Sequence, residues 1–181
     1  MPNNIVDIQI ARDYMRIDGD VPDSVIQLLV ASAAKRTEDY CATNWRIRPT
    51  IDTHIGTGRS DRIYLYRSPV ISVESVSING TPYDGYTALL PSGEIIGSWD
   101  KDASVVVQYT AGYIRDTDDP LELIPDAVSA ILLCAATWYN NPTGTLSDSV
   151  TGIGSVNYGE EVRIPQAAMA RLAALRRRPI L

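Results

Sequence analysis

The sequence predicts an α+β fold. The expectation is a small helical bundle of about four helices, an antiparallel β-rich module inserted between the second and third long helices, and an extended C-terminal arm. Three observations lead there. Apolar residues recur at helical spacing over Pro22–Asn44 and again over Pro125–Asn140. Between them the period becomes that of strands, most clearly in Asp61–Asn79 (DRIYLYRSPVISVESVSIN) and Val105–Tyr113 (VVVQYTAGY). After Asn140 the chain turns rich in Asn, Thr, Gly and Ser, and it ends in arginines. The predicted organisation is a helical domain over residues 1–141 with its β insertion at about 46–113, then a flexible loop and C-terminal helix with tail over 142–181.

The elements follow in order. Asp7 can cap a first helix over Asp7–Ile17, with Ile10, Tyr14 and Ile17 on one side. The turn Asp18–Asp20 (DGD) ends it; it is no calcium loop, because the twelfth position from Asp18 is Leu29 and not glutamate. In the second helix Ile26, Leu29, Val30, Ala33, Thr37, Tyr40 and Cys41 form the apolar stripe, with Lys35, Arg36, Glu38 and Asp39 off it. Thr50–Ile55 and Arg62–Tyr66 alternate as strands do, around a glycine turn GTGRS at Gly56–Ser60. That turn lacks the spacing and the GK[ST] ending of a phosphate-binding loop. Within Val70–Ile78 the apolar phase shifts, which predicts a bulge or a change of sheet near Glu74–Ser75. Asn79–Gly80 is a tight-hairpin signal. Tyr83–Leu90 and Glu94–Trp99 are shorter strand candidates before the closing strand from Val105.

Arg115–Pro120 (RDTDDP) is a charged connector, and Pro125 suits the first turn of the next helix. That helix is apolar nearly all round, so either it is central to the fold or neighbouring subunits cover part of it. Asn140–Gly159 reads as a loop without secondary structure, long enough to imply a functional or partner-ordered segment. A last helix is expected over Pro165–Arg178, with Ala168, Met169, Leu172 and Leu175 apolar.

The net charge of −6 is unevenly placed. Val162–Leu181 holds five arginines and no acid, which leaves 11 basic residues against 22 acidic ones in the rest. An acidic body argues against tight wrapping of nucleic acid, which needs phosphate contacts from Lys and Arg. The basic end reads as an interaction tail or as a helix end matched to its dipole. Cys41 and Cys134 both fall in helical apolar segments, and two isolated thiols do not make a zinc site. No apolar signal segment opens the chain, and Ala127–Tyr139 is too short to span a bilayer. The expectation is therefore no membrane association, no cofactor and no metal. His54, the lone histidine, sits in a strand beside no recognisable nucleophile, so no catalytic residue is assigned and the chain is not expected to be an enzyme.

The order YMRIDGD, EDYCATNW, IYLYRSPVISVESVSING, VVVQYTAGY and IPDAVSAILLCAATWYNNP resembles the head–tail connector, or adaptor, proteins of tailed bacteriophages and gene transfer agents. The resemblance covers roughly Ile8–Pro142, and its most specific pieces are Leu65–Val76, Tyr109–Tyr113 and Ile124–Tyr139. It implies a structural virion protein of the neck, present in the host cytoplasm during assembly. Its partners would be the portal protein, copies of itself in a ring (twelve-fold in the virion), a stopper or tail-completion protein, and genomic DNA passing without sequence specificity. The C-terminal segment would reach the portal, with Arg171, Arg176, Arg177, Arg178, Pro179, Ile180 and Leu181 as the docking residues. Two other readings stand beside it: another neck or tail completion protein, and a DNA-binding accessory protein using the basic tail.

Overall fold

In chain order the elements are α1 (Ile8–Met15), α2 (Asp23–Cys41), β1 (Arg48–Ile55), β2 (Arg62–Tyr64), β3 (Val70–Ile78), β4 (Thr81–Pro82), β5 (Thr87–Leu89), β6 (Glu94–Ile96), β7 (Ser104–Ala111), α3 (Pro120–Leu123), α4 (Pro125–Asn140), β8 (Ser147–Val150), β9 (Gly154–Asn157) and α5 (Gln166–Leu172). The computed structural model describes residues 5–59, 61–141, 147–150, 154–157 and 164–176. The described residues form two compact units. One joins the chain through Cys41 to the segment from Asp119 to Arg176; the other is Ala42–Asp118.

The first unit is centred on α4, which packs against α1, α2, α3 and α5. Ala127, Val128, Ala130, Ile131, Leu132, Cys134 and Ala135 are all buried. Of the two ways to cover an all-apolar helix, this chain uses its own helices, and the alanines let them approach closely. The α2 stripe is met by buried Ile26, Val30, Ala33, Thr37 and Cys41, with Glu38 buried beside them. Asp7 caps α1 by accepting the N–H groups of Gln9 (2.7 Å) and Ile10 (3.4 Å). Arg16, at φ 52°, closes it in the left-handed conformation. Arg12 of α1 pairs with Asp23 of α2 at 2.7 Å.

Three sequence expectations change here. The stretch after Asn140 is not without secondary structure, because β8 and β9 pair antiparallel from Ser147↔Asn157 to Val150↔Gly154. Its apolar content is too low for a strand signal, and backbone pairing, which does not depend on side-chain composition, makes the ribbon. The last helix ends at Leu172 and not at Arg178, with turns through Leu175. Asp119 and Pro120 start an additional short helix, Asp119 accepting the N–H of Leu121 at 2.8 Å.

The second unit holds two antiparallel sheets, ordered β1-β7-β3-β4 and β2-β6-β5. Val76, Val105, Val107, Tyr109 and Ala111 from the first share one core with Ile63, Leu65, Ile95 and Trp99. Alternation is clean in β7, where Val105, Val107 and Tyr109 are buried and Gln108 is exposed. The predicted irregularity in β3 is present, since its register with β7 shifts between Val73 and Ser75, and it shifts again between Val70 and Ser72. Asn79 and Gly80 both have positive φ, 51° and 81°, as a two-residue hairpin turn requires. The strands expected over Tyr83–Leu90 and Glu94–Trp99 shrink to β5 and β6. Gly97 shows why: Trp99 folds back so closely that a Cβ there would lie 2.7 Å from its ring.

Candidate functional site

Of the proposed docking residues, two are described. Arg171 is exposed in the last turn of α5. The Arg176 guanidinium lies 4.6 Å above the Tyr40 ring, with Nη1 3.4 Å from the Tyr40 hydroxyl. Such a cation–π contact is worth about 0.5–1 kcal/mol at an exposed site. Arg176 therefore ties the start of the tail to α2. Arg177, Arg178, Pro179, Ile180 and Leu181 lie outside the described residues.

The densest polar cluster is one that sequence reasoning passed over. Asp52 of β1 is only 6% exposed. Its Oδ2 accepts the Tyr66 N–H at 2.6 Å and the Tyr109 hydroxyl at 2.7 Å. The Tyr109 oxygen in turn accepts the Arg67 N–H at 3.0 Å. Arg67 Nη1 donates to the Thr43 carbonyl at 2.9 Å, and the Thr43 hydroxyl donates to the carbonyl of Ser68. Asn44 Nδ2 reaches Thr50 Oγ1 (3.0 Å) and the Ala111 carbonyl (3.2 Å). Together these bonds hold the Tyr66–Ser68 crossover against the four-stranded sheet. Burial, and next the bond to Asp52, push the Tyr109 hydroxyl well above its ordinary pKa.

His54 stands beside this cluster. Its ring stacks on Tyr66 at 4.9 Å, and its Nε2 is buried, unpaired, and 4.0 Å from Asp52 Oδ2. Burial lowers its pKa below 6.5 by more than Asp52 raises it. The contacts of His54 are those of a packed strand residue. The two thiols are likewise packed: burial pushes Cys41 up to about 11, with Arg176 opposing, and Cys134 up to about 12. Thiols so shifted stay protonated at neutral pH.

An open hollow of about 550 Å³ lies on the β unit, lined in part by Gly58, Asp61, Tyr83, Gly97 and Trp99. Its polar atoms largely serve each other. Trp99 Nε1 donates to the Asp61 carbonyl (2.9 Å), while Tyr83 donates to the Gly85 carbonyl (2.8 Å) and accepts the Ser98 N–H (3.2 Å). Among the described residues no group of three or more His, Cys, Asp or Glu is arranged to hold a metal ion. No helix of the described residues is long and apolar enough to cross a membrane.

Exposed apolar side chains mark the surface more clearly than any hollow does. In the first unit Leu28 is 67% exposed, with Val25 near it on α2 and Leu121 and Leu123 on α3. In the second, Ile51 and Ile55 of β1 are 64% and 62% exposed. Along β1 Asp52 and His54 share one face and the isoleucines the other, and it is the polar face that turns inward.

No protein-family model matches the sequence, and no curated protein matches it. Solved structures do match. One is a chain from the neck of an empty gene transfer agent particle computed with C6 symmetry, with TM-score 0.66, 18% identity, and coverage of 99% of this chain and 93% of that one. Another, from the virion of a native gene transfer agent particle, has TM-score 0.64, 18% identity and coverage of 100% and 94%. A third, from the neck of a native particle computed with C12 symmetry, has TM-score 0.64, 18% identity and coverage of 99% and 93%. The chain thus shares, over nearly its whole length, the fold of a chain found in such necks.

Proposed function

We propose that this chain is a structural component of the neck of a phage-like particle. In this reading it is a head–tail connector that docks as a ring on the portal, extends the DNA channel and offers the platform for a stopper or tail. The observation that carries it is the end-to-end likeness in fold to a chain of gene transfer agent necks. That the necks were computed with C6 and C12 symmetry supports a ring of copies. Exposed Leu28, Leu123, Ile51 and Ile55 are apolar surface that neighbouring subunits would cover. Ring symmetry repeats each weak contact, so modest affinity per subunit yields a stable neck.

The helices would form the ring body. The C-terminal segment would be the portal-binding arm. There Arg171, Arg177 and Arg178 would meet carboxylates, and Pro179, Ile180 and Leu181 would enter apolar pockets. Arg176, already held by Tyr40, would set the arm's point of departure. An acidic body would let genomic DNA pass without gripping it.

The test is complementation of particle production with a chain lacking residues 177–181. Heads without tails are expected, with the truncated protein folded and absent from the heads. Completed particles at wild-type yield would overturn the docking arm. Strong salt-dependent binding of the isolated chain to duplex DNA would favour an accessory DNA-binding role instead.

A further inference from the structure

Strand β1 presents its polar face to the core and its apolar face to solvent, and it is also a sheet edge. In the order β1-β7-β3-β4 it has a neighbour on one side only. Which residues face the open side follows from the ladder. Gly56 donates its N–H to the Ala103 carbonyl on the β7 side (2.8 Å). Ser104, opposite Ile55, turns its carbonyl the other way to accept from Asn79 (2.8 Å). Backbone groups alternate sides along a strand. Arg48, Thr50, Asp52 and His54 therefore bond to β7, while Ile51, Thr53 and Ile55 direct N–H and C=O outward. Among the described residues nothing pairs with those outward groups. Pro49, which has no N–H to offer, limits the edge at one end and the Gly56 turn at the other. Soluble proteins usually blunt such an edge with charge or cover it. Here Ile51 and Ile55 stand exposed along it.

An edge of this kind accepts an extended strand. The copies in a ring are related head to tail, so β1 cannot meet its own equivalent, which would need a two-fold axis and would close a dimer. It must meet a different element of the neighbour. Within this chain the other sheet edges are short or broken: three residues each for β2 and β5, two for β4, while residues 70–75 of β3, which β4 leaves open, are interrupted by two register shifts. The β8–β9 ribbon differs. Each of its strands has four residues, it is a sheet of two strands only, and both of its outer edges are unpaired among the described residues. Ribbons of that size are marginal alone and gain from a third strand. We infer that the open edge of β1, Ile51–Ile55, seats the β8–β9 ribbon of the adjacent copy, extending the four-stranded sheet from one subunit into the next. The inference rests on the ring reading above.

The experiment uses cysteine pairs in the full chain, with Cys41 and Cys134 buried and unreactive. Thr53→Cys and, separately, Ser149→Cys or Ser155→Cys are mixed and oxidised, both as purified protein and in particles that carry them. The expected result is a covalent dimer between the two variants and, when both substitutions are in one chain, a ladder of multimers. Thr53→Pro removes an outward N–H and no bond to β7, and Ile51→Lys with Ile55→Lys charges the edge. Each should leave the monomer folded by circular dichroism and raise the concentration for half-assembly at least about tenfold. If rings form but no cross-link appears and Thr53→Pro assembles as the wild type does, the strand seat is wrong and the ring reading stands. If the wild-type chain is a monomer both in solution and in particles, the ring reading fails and takes this inference with it. A cross-link of β1 to a different protein of the particle would overturn the choice of ribbon.

Discussion

At the residue scale, the β unit depends on one carboxylate. Asp52 is buried with two donors, and Tyr109 passes the connection on to Arg67. Tyr109→Phe keeps the ring in the core but removes one donor from Asp52 and the acceptor of the Arg67 N–H. An unmatched buried group costs about 1–3 kcal/mol, so a loss of that size is expected in urea unfolding. His54 makes a second, pH-dependent prediction. Its folded pKa lies below 6.5, so its stabilising effect is present above pH 6.5 and is lost as pH falls through the folded value. The melting temperature of the wild type should drop as pH falls below 6.5. In His54→Phe, which retains an aromatic ring against Tyr66, that part of the pH dependence should vanish. An unchanged profile would remove His54 from the account.

At the element scale, the chain ends and bends its elements with residues that have few substitutes. Asn79–Gly80 turns β3 into β4, and Asn79 also accepts the Ser104 N–H at 2.9 Å. After β7, Gly112 has φ 148°, and a Cβ there would lie 2.5 Å from the Arg46 carbonyl oxygen and 2.6 Å from Ile47 Cα. Both are backbone atoms that cannot swing away. Gly112→Ala is therefore expected to cost roughly 2 kcal/mol or more, combining strain with close contact, measurable as a lowered melting temperature. The bulges of β3 were half legible. The Glu74 phase shift is visible because Val73 and Val76 are both apolar, while the one at Ile71 is hidden because that side chain is exposed.

At the scale of the whole molecule, the C-terminal truncation tests something the fold permits. The described helical packing ends with Leu172 fully buried, and Arg176 rests on Tyr40. The Arg176–Tyr40 contact itself involves no residue of 177–181. Circular dichroism and melting of the truncated chain should match the wild type while head joining is lost. A truncated chain that unfolds would make the last residues part of the fold and not an arm.

The sequence by itself determined the alternation of helical and strand segments, the cap at Asp7, the hairpin at Asn79–Gly80 and the covered character of α4. Each rests on local periodicity or on the conformational limits of a few residues, which one chain displays directly. Only the tertiary structure decided which face of β1 turns inward. Alternation separates Asp52 and His54 from Ile51 and Ile55 but carries no sign; the sign comes from Tyr109 and the Tyr66 backbone, distant in sequence, which make Asp52 burial favourable. The β8–β9 ribbon was hidden for a related reason, since backbone pairing leaves little trace in side-chain composition. The arrangement of an open edge beside exposed isoleucines is thus a property of the fold.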